Sequence, residues 1–166
     1  MKILNLYAGI GGNRRLWGDD HEITAVELDP DIAKIYSDFF PNDKMVVGDA
    51  HQYLLEHFKG FDFIWSSPPW KWSVENVDPY YDPIEKPYFK LDRHCFWTNF
   101  FISNVKFSKR EKCHKKINGG TSIIFGFDLS KCKVPNKRQI LRNLVNPELG
   151  LHILNESQKN EQISMF

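Results

Sequence analysis

The stretch Ile3-Leu4-Asn5-Leu6-Tyr7-Ala8-Gly9-Ile10-Gly11-Gly12 is a short apolar run that passes directly into a glycine-rich turn. A run of this kind predicts a buried strand, and residues 13–17 after it are compatible with a helix. Glycine lets the backbone approach a ligand closely where side chains would clash. The stretch therefore predicts a strand, a loop that can approach a ligand, and the start of a helix.

Strand and helix patterns alternate as far as residue 65. Apolar runs predict strands at Glu22–Leu28, Met45–Val47 and Phe61–Trp65, and a helix is predicted at His51–Phe58. The stretch Asp29-Pro30-Asp31 predicts a helix entry, because aspartate can cap a helix and proline suits its first position. This alternation predicts an α/β fold with a parallel sheet and helices on both faces.

The next strand poses a geometric problem. Trp72–Val77 is a predicted strand, but only six residues, Ser66–Lys71, separate it from the strand before it. A parallel crossover normally needs a dozen or more residues. We therefore expect this strand to pair antiparallel, or to pair with another chain in a homodimer or strand exchange. The alternative is that residues are missing from the middle of the sheet.

The second half of the chain shows a less regular pattern. Asp78–Lys90 contains three prolines and is expected to be an irregular loop, and Cys95–Ile102 is a predicted strand. Asn104–Gly120 is basic and poor in strand-forming residues. Pro135–Leu154 predicts a helix pair or one broken helix, because a proline interrupts its apolar pattern. The polar tail from Asn155 is expected to be frayed.

Composition limits the class of protein. Of the 166 residues, 42% are hydrophobic and 14% aromatic, which is enough for the core of one domain and unlike a disordered protein. The chain shows no long apolar run and no signal-peptide pattern, so we expect a cytoplasmic protein without membrane contact. The cysteines Cys95, Cys113 and Cys132 are widely spaced and fit neither a disulfide framework nor a zinc site.

Charge is distributed unevenly along the chain. Residues 1–103 carry 10 Lys and Arg against 16 Asp and Glu, whereas residues 104–142 carry 11 against two. A basic segment favours a polyanion partner, because each neutralised phosphate releases counterions. DNA is therefore a candidate partner, and a solvated basic surface is the alternative. The candidate DNA-binding residues are Lys106, Lys109, Arg110, Lys112, Lys115 and Lys116.

Two acidic residues at predicted strand ends strengthen the ligand prediction. Glu27 ends the second strand, where it can accept hydrogen bonds from ribose hydroxyls. Asp49 follows the third strand, where it can bind an adenine amino group. The dinucleotide fingerprint G-x-G-x-x-G is not met, because Arg14 stands at the third glycine position. These residues favour a bound adenosyl group and disfavour NAD.

Together with Ser66-Ser67-Pro68-Pro69-Trp70 and Glu75-Asn76-Val77, these motifs resemble, in order and spacing, the DNA cytosine-5 methyltransferase family. The resemblance implies a Rossmann-like class I S-adenosylmethionine-dependent methyltransferase sheet, truncated in the middle, with a short basic appendage. The implied organisation is a cofactor-binding and catalytic core at 1–103, a reduced target-recognition segment at 104–134, a returning helical segment at 135–154 and a tail at 155–166.

The resemblance implies S-adenosylmethionine as the cofactor. Tyr7 and Leu28 would flank it, and Pro69 would lie near its methyl group. The stretch Arg142-Asn143-Leu144-Val145 resembles the family's closing Gly-Asn-x-Val element, which assigns a cofactor contact to Asn143, whereas Asn146 is expected to be a cap-like turn residue. The implied cofactor-binding residues are Tyr7, Ala8, Gly9, Ile10, Gly11, Gly12, Glu27, Leu28, Asp49, Ala50, Pro69 and Asn143.

The catalytic half of the resemblance is incomplete. In the family, the cysteine of Pro-Pro-Cys adds to C6 of a flipped cytosine, and the glutamate of Glu-Asn-Val protonates or hydrogen-bonds N3. Glu75 matches that glutamate and Arg93 matches one arginine of an Arg-x-Arg element, but Trp70 occupies the nucleophile position. Two functions remain open. The first is a DNA cytosine-5 methyltransferase-family protein that is inactive because it lacks the nucleophile. The second is a non-catalytic module that binds S-adenosylmethionine or DNA.

The stretch Ser67-Pro68-Pro69-Trp70 also resembles the motif of amino-group DNA methyltransferases. In those enzymes the aromatic residue stacks on a flipped base and no covalent nucleophile is needed. The Glu75-Asn76-Val77 element argues against this interpretation.

Overall fold

The computed structural model describes residues 1–65, 71–77, 87, 89–91, 94–107 and 123–159. The strands of its main sheet are β1 Lys2–Leu6, β2 Glu22–Glu27, β3 Lys44–Val47, β4 Phe63–Trp65, β5 Lys71–Val77, β6 Phe89–Leu91 and β7 His94–Thr98. A small second sheet pairs β8 Ile123–Ile124 with β9 Phe127–Asp128. The helices are α1 Pro30–Phe39, α2 Ala50–His57, α3 Lys137–Asn143 and α4 Pro147–Lys159.

The strands of the main sheet are arranged in the order β3-β2-β1-β4-β5-β7-β6. Strands β1 to β5 pair in parallel, and β7 is antiparallel to both of its neighbours. The predicted α/β fold with a parallel sheet is confirmed. The arrangement is compatible with a Rossmann-like fold, whose first five strands follow the same order.

Strand β1 is buried on both faces of the sheet. Ile3 packs into a cluster with Ile153 of α4, whereas Leu4 and Leu6 pack into a cluster with Leu54 of α2. Successive side chains of a strand point to opposite faces, so an apolar run without polar alternation requires a helix layer on each side. The predicted layers are therefore present.

The entry of α1 follows the sequence prediction. The Asp29 carboxylate accepts hydrogen bonds from the backbone N–H of Asp31 at 2.9 Å and of Ile32 at 3.3 Å, and Pro30 is the first helical residue. These contacts satisfy N–H groups that have no partner within the helix. The helix ends at Phe39, two residues before Pro41.

The expected antiparallel pairing of the fifth strand with the fourth is wrong. Strand β5 pairs in parallel with β4 of the same chain, with Lys71 beside Phe63 and Ser73 beside Trp65. Because β4 has only three residues, the chain must return about two residues along the sheet and one strand across, roughly 8 Å in all. The six Cα–Cα steps from Trp65 to Lys71 can span that distance, since each is about 3.8 Å.

The end of the chain is more ordered than its polarity suggests. The expectation of a frayed tail from Asn155 is wrong as far as Lys159, where α4 ends. Glu156 and Ser157 are buried, and the Ser157 hydroxyl donates to the carbonyl of Leu154 at 2.7 Å. One face of the last helical turn thus packs on the core although its residues are polar.

Part of the predicted basic appendage also belongs to the core. Ile124, Phe127 and Leu129 are fully or almost fully buried, and the Phe127 ring lies 4.8 Å from that of Phe39 on α1. The Arg15 guanidinium lies 5.1 Å from the centre of the Phe127 ring. The hairpin β8–β9 therefore covers α1 and is not a separate unit.

Candidate functional site

The loop after β1 has an unusual backbone conformation. Tyr7, Gly9 and Gly11 adopt φ angles of 50°, 55° and 83°, so every second residue is left-handed. A bulky residue such as tyrosine rarely adopts positive φ, and strain of this kind concentrates at functional sites. A Cβ on Gly11 would lie 2.9 Å from the Tyr36 ring, whereas a Cβ on Gly9 would meet nothing within 4 Å. The loop is therefore packed beneath Gly11 and open above Gly9.

Glu27 connects the end of β2 to this loop. One carboxylate oxygen accepts from the backbone N–H of Gly9 at 2.9 Å, and the other accepts from Leu28 at 2.9 Å and Asp29 at 3.1 Å. Hydrogen bonds from N–H groups to a charged acceptor are stronger than those to a neutral acceptor. Glu27 thus stabilises the left-handed conformation of the glycine loop.

A cavity of about 460 Å³ lies beside the loop. Its walls come from the loop after β1, the end of β4, the start of α1 and the segment containing α3. The lining residues are Tyr7, Ala8, Gly9, Ile10, Gly12, Asn13, Asp29, Asp31, Ile32, Trp65, Val134, Pro135, Asn136, Gln139, Ile140, Asn143, Leu144 and Val145. Since β2 lies on one side of β1 and β4 on the other, this is where the strand order reverses, the usual ligand position in open α/β sheets.

The cavity brings together half of the predicted cofactor residues. Tyr7, Ala8, Gly9, Ile10, Gly12 and Asn143 line it, and Gly11 lies beneath the loop against Tyr36. Asn143 reaches the cavity from α3, more than 130 residues along the chain from the loop. Asn146 accepts a hydrogen bond from the backbone N–H of Glu148 at 3.0 Å, which confirms its predicted cap-like role.

The other predicted cofactor residues in the described part of the chain lie outside the cavity lining. Glu27 supports the loop, and the Asp49 carboxylate caps α2 by accepting from the N–H of Gln52 at 2.8 Å. Leu28 is 69% exposed and Ala50 is buried. Leu28, Asp49 and Ala50 follow the ends of β2 and β3, along the same edge of the sheet.

Several lining residues carry functional groups that the sequence did not single out. Asp29 and Asp31 lie at the start of α1, Trp65 ends β4, and Asn136 and Gln139 lie at the start of α3. Asp29 was recognised only as a helix cap. The sequence could have indicated Gln139. It lies four residues before the predicted site residue Asn143, and residues at i and i+4 share one helix face.

The connection between α3 and α4 closes the cavity against the loop. A Cβ on Gly12 would lie 2.7 Å from a Leu144 methyl group and 2.8 Å from the Val145 carbonyl oxygen. Gly150 on α4 lies equally close to the backbone of Asn13. Only glycine permits such close approach at these positions. The segment that connects α3 and α4, and α4 itself, therefore pack directly against Gly12 and Asn13.

A buried ion pair supports the loop from below. Arg14 Nε lies 2.9 Å from the Asp43 carboxylate, and both side chains are at most 4% exposed. The Tyr36 hydroxyl donates to the same carboxylate at 2.7 Å. Burial alone would lower the pKa of Arg14, but the hydrogen bonds and charge of Asp43 hold that pKa above its ordinary value. Arg14 is thus a structural cation beneath the loop and is turned away from solvent.

The predicted catalytic residues are described only in part. Glu75 lies on β5 opposite Phe96, two positions beyond the residue that pairs with the end of β4. Its backbone is therefore at the same edge of the sheet as the cavity. Arg93, Pro69 and the nucleophile position Trp70 lie outside the described residues.

The predicted DNA-binding residues also fall mostly outside the described part. Lys106 is exposed and follows β7 in a segment without regular structure. Lys109, Arg110, Lys112, Lys115 and Lys116 lie outside the described residues.

Comparison with protein-family models, curated proteins and solved structures finds no match to this chain. Within the described residues, no helix has the length and apolar character that a membrane crossing requires.

Proposed function

We propose that this chain binds S-adenosylmethionine in the cavity beside the glycine loop, as a DNA cytosine-5 methyltransferase-type protein without cytosine-5 turnover. The observation that carries the proposal is the position of the cavity. It lies at the switch point between β1 and β4, against a loop whose backbone is left-handed at Tyr7, Gly9 and Gly11. Open α/β sheets bind nucleotide-like ligands at this point.

The chemistry of the lining fits the proposed cofactor. Asp29 and Asp31 are carboxylate acceptors for hydroxyl or ammonium groups, and the amides of Gln139 and Asn143 can both donate and accept hydrogen bonds. The aromatic Trp65 can face a sulfonium cation. When bound, S-adenosylmethionine supplies an electrophilic methyl group. The residues of this chain would bind the cofactor, orient it and exclude water on the side of α3.

A dinucleotide is a poorer fit for the same loop. Arg14, at the third glycine position of the fingerprint, is buried and paired with Asp43, so it is not placed to bind a phosphate. The sheet also departs from the dinucleotide-binding order, because β7 is inserted antiparallel between β5 and β6. Both features favour the adenosyl interpretation over NAD.

The absence of turnover follows from the missing nucleophile. Trp70 stands where the resemblance places a cysteine. Cys95 is buried and Cys132 half-buried within other packed segments, and neither lines the cavity. A lost covalent nucleophile removes the reaction path and not a fraction of the rate. The proposed role is therefore cofactor and DNA binding, with Lys106 and the basic residues after it as phosphate contacts.

Calorimetry of the purified chain with S-adenosylmethionine tests the proposal. We expect saturable binding with a stoichiometry of one, competed by S-adenosylhomocysteine and not by NAD. Absence of binding, or equal binding of NAD, would contradict it.

Transfer of labelled methyl to duplex DNA tests the second part of the proposal. The parent chain and its Trp70→Cys variant should both be inactive, because five residues between β4 and β5 are too few for a loop that closes over a flipped cytosine. A version with a grafted family loop serves as the positive comparison. Cytosine-5 turnover by the parent chain would overturn the proposed lack of activity.

A further inference from the structure

A second cavity of about 490 Å³ adjoins the first one on α3. It is lined by the polar side chains of Asn136, Arg138, Gln139, Arg142 and Asn143. Asn136, Gln139 and Asn143 line both cavities, whereas Arg138 and Arg142 line only the second. A ligand group that crosses the row formed by Gln139 and Asn143 would therefore reach two guanidinium groups.

The charges of α3 suit its last turn, where the helix dipole favours the cation of Arg142, but not its first turn. Arg138 and Arg142 are exposed and four residues apart, a spacing at which like charges on a helix repel. The first turn contains Lys137 and Arg138 and no acidic residue, although the helix dipole favours acids there. Asn136, at the N-cap, is left-handed and makes no capping hydrogen bond with its side chain. Two guanidinium groups are therefore exposed on one face of α3.

The surrounding sequence keeps the same sign of charge. Residues 128–148 contain five Lys and Arg and two acids, Asp128 and Glu148, one at each end of the range. Lys131 and Lys133 are exposed, like Arg138 and Arg142. Arginine presents a planar fork of donors that matches phosphate oxygens in a bidentate manner. Two arginines that line one cavity, with exposed lysines nearby in the sequence, fit a ligand with repeated phosphates better than a ligand with one.

We infer that the second cavity and the exposed cations of α3 bind the phosphate backbone of a nucleic acid strand beside the cofactor cavity. This inference deepens the proposed function, because it names the surface on which the DNA partner lies. The residues of this surface are other than Lys106 and the basic residues that follow it in the sequence. It places the nucleic acid on the far side of Gln139 and Asn143 from the glycine loop.

The test compares salt dependence of binding between two charge-matched variants. Anisotropy of a short fluorescein-labelled duplex gives the slope of log affinity against log salt for the parent, Arg138→Gln/Arg142→Gln and Lys44→Gln/Lys59→Gln. In the control pair, Lys44 begins β3 and Lys59 lies in the turn between α2 and β4, and neither residue lines these two cavities. If both arginines contact phosphates, the slope of Arg138→Gln/Arg142→Gln should be less steep than the parent's by about 1.8. The control variant should keep the parent slope.

A charge-conserving variant separates phosphate binding from packing. Arg138→Lys/Arg142→Lys should keep the parent slope, because each lysine still neutralises a phosphate. Circular dichroism should show that all variants keep the fold, with changes in stability of about 0.5 kcal/mol or less, since the replaced side chains are exposed. An unchanged slope in Arg138→Gln/Arg142→Gln, or a parent chain that binds no duplex, would overturn the inference.

Two further titrations identify the source of the phosphate and keep this inference separate from the proposed function. Inorganic phosphate and adenosine monophosphate are titrated by calorimetry. The arginine variant could lose binding of inorganic phosphate or adenosine monophosphate and keep the parent slope for the duplex. The site would then bind a free phosphate ligand, and the inference would be wrong. S-Adenosylmethionine is titrated into the same proteins. A parent that does not bind it contradicts the proposed function, while the salt comparison still decides the nucleic-acid surface.

Discussion

The carboxylate of Glu27 accepts a hydrogen bond of 2.9 Å from the backbone N–H of Gly9, so the end of β2 supports the loop after β1. The other oxygen accepts from Leu28 and Asp29, the residues that lead into α1. One side chain thus connects the glycine loop with the helix entry. Both of these elements line the candidate cavity.

Glu27→Gln should weaken S-adenosylmethionine binding by about tenfold or more, because hydrogen bonds to a charged group contribute about 1.5–3 kcal/mol each. The amide keeps the side-chain size but turns one acceptor into a donor that faces N–H groups. Glu22→Gln, exposed at the other end of β2, is the control and should bind like the parent. Calorimetry measures both variants, and equal affinity in Glu27→Gln and Glu22→Gln would refute the supporting role.

Gly12→Ala should destabilise the fold by about 1–3 kcal/mol, because the new methyl group would overlap Leu144 and the Val145 carbonyl. The same overlap pushes the connection between α3 and α4 away from the loop, so cofactor affinity should fall as well. Gly48→Ala is the matched control, since its Cβ would meet nothing within 4 Å. In urea unfolding, the free energy of unfolding of Gly48→Ala should lie within about 0.5 kcal/mol of the parent's. Similar losses in both variants would argue against close packing at Gly12.

Asp43→Asn should lower the free energy of unfolding by about 3–5 kcal/mol, because it leaves the buried Arg14 with only the exposed Asp19 as a charged partner. Asp38→Asn removes the partner of Lys34 in an exposed ion pair, with side chains 75% and 63% exposed. Exposed pairs contribute little, so Asp38→Asn should change stability by less than about 1 kcal/mol. Urea titrations of the two variants measure the difference. A loss at Asp43 no larger than that at Asp38 would contradict the structural role of the buried pair.

Stability should fall on mild acidification because of His21. Burial lowers the pKa of His21 below its ordinary value of 6.5, so the unfolded chain binds the proton first. The contribution to stability is complete above that ordinary value and is lost as the pH falls through the lowered pKa of the folded state. In His21→Gln the unfolding free energy should depend less on pH in this range than in the parent. His51→Gln, at an exposed position, is the control, and a parent-like pH dependence in His21→Gln would contradict the assignment.

The sequence predicted the parallel layers of the first 65 residues well. Glu22–Glu27, Pro30–Phe39 and Ala50–His57 lie within one or two residues of the predicted elements. Local signals are sufficient here, because apolar runs, capping aspartates and prolines act on neighbouring residues. The sequence also predicted the glycine loop and Asn143 as cofactor-binding residues, and both line the cavity.

The pairing of β5 and the end of α4 were decided by contacts that local patterns do not contain. The crossover argument failed because it assumed a strand of ordinary length, whereas β4 has three residues. The frayed tail was predicted from polarity, but Glu156 and Ser157 are buried against the rest of the fold. In both cases the structure of the segment depends on how it packs against other elements of the fold, which its local sequence does not show.

By itself, the sequence determined the α/β layers, the position of the glycine loop and the absence of a cysteine after Pro68-Pro69. Only the tertiary structure decided which polar groups line the cavity. Glu27 lies behind the loop and Asp49 caps a helix, whereas Asp29, Asp31 and Gln139 line the cavity. The reason is that strand ends follow from local hydrophobic pattern, while side chains meet at a cavity through the packing of α1 and α3, which are distant in the chain.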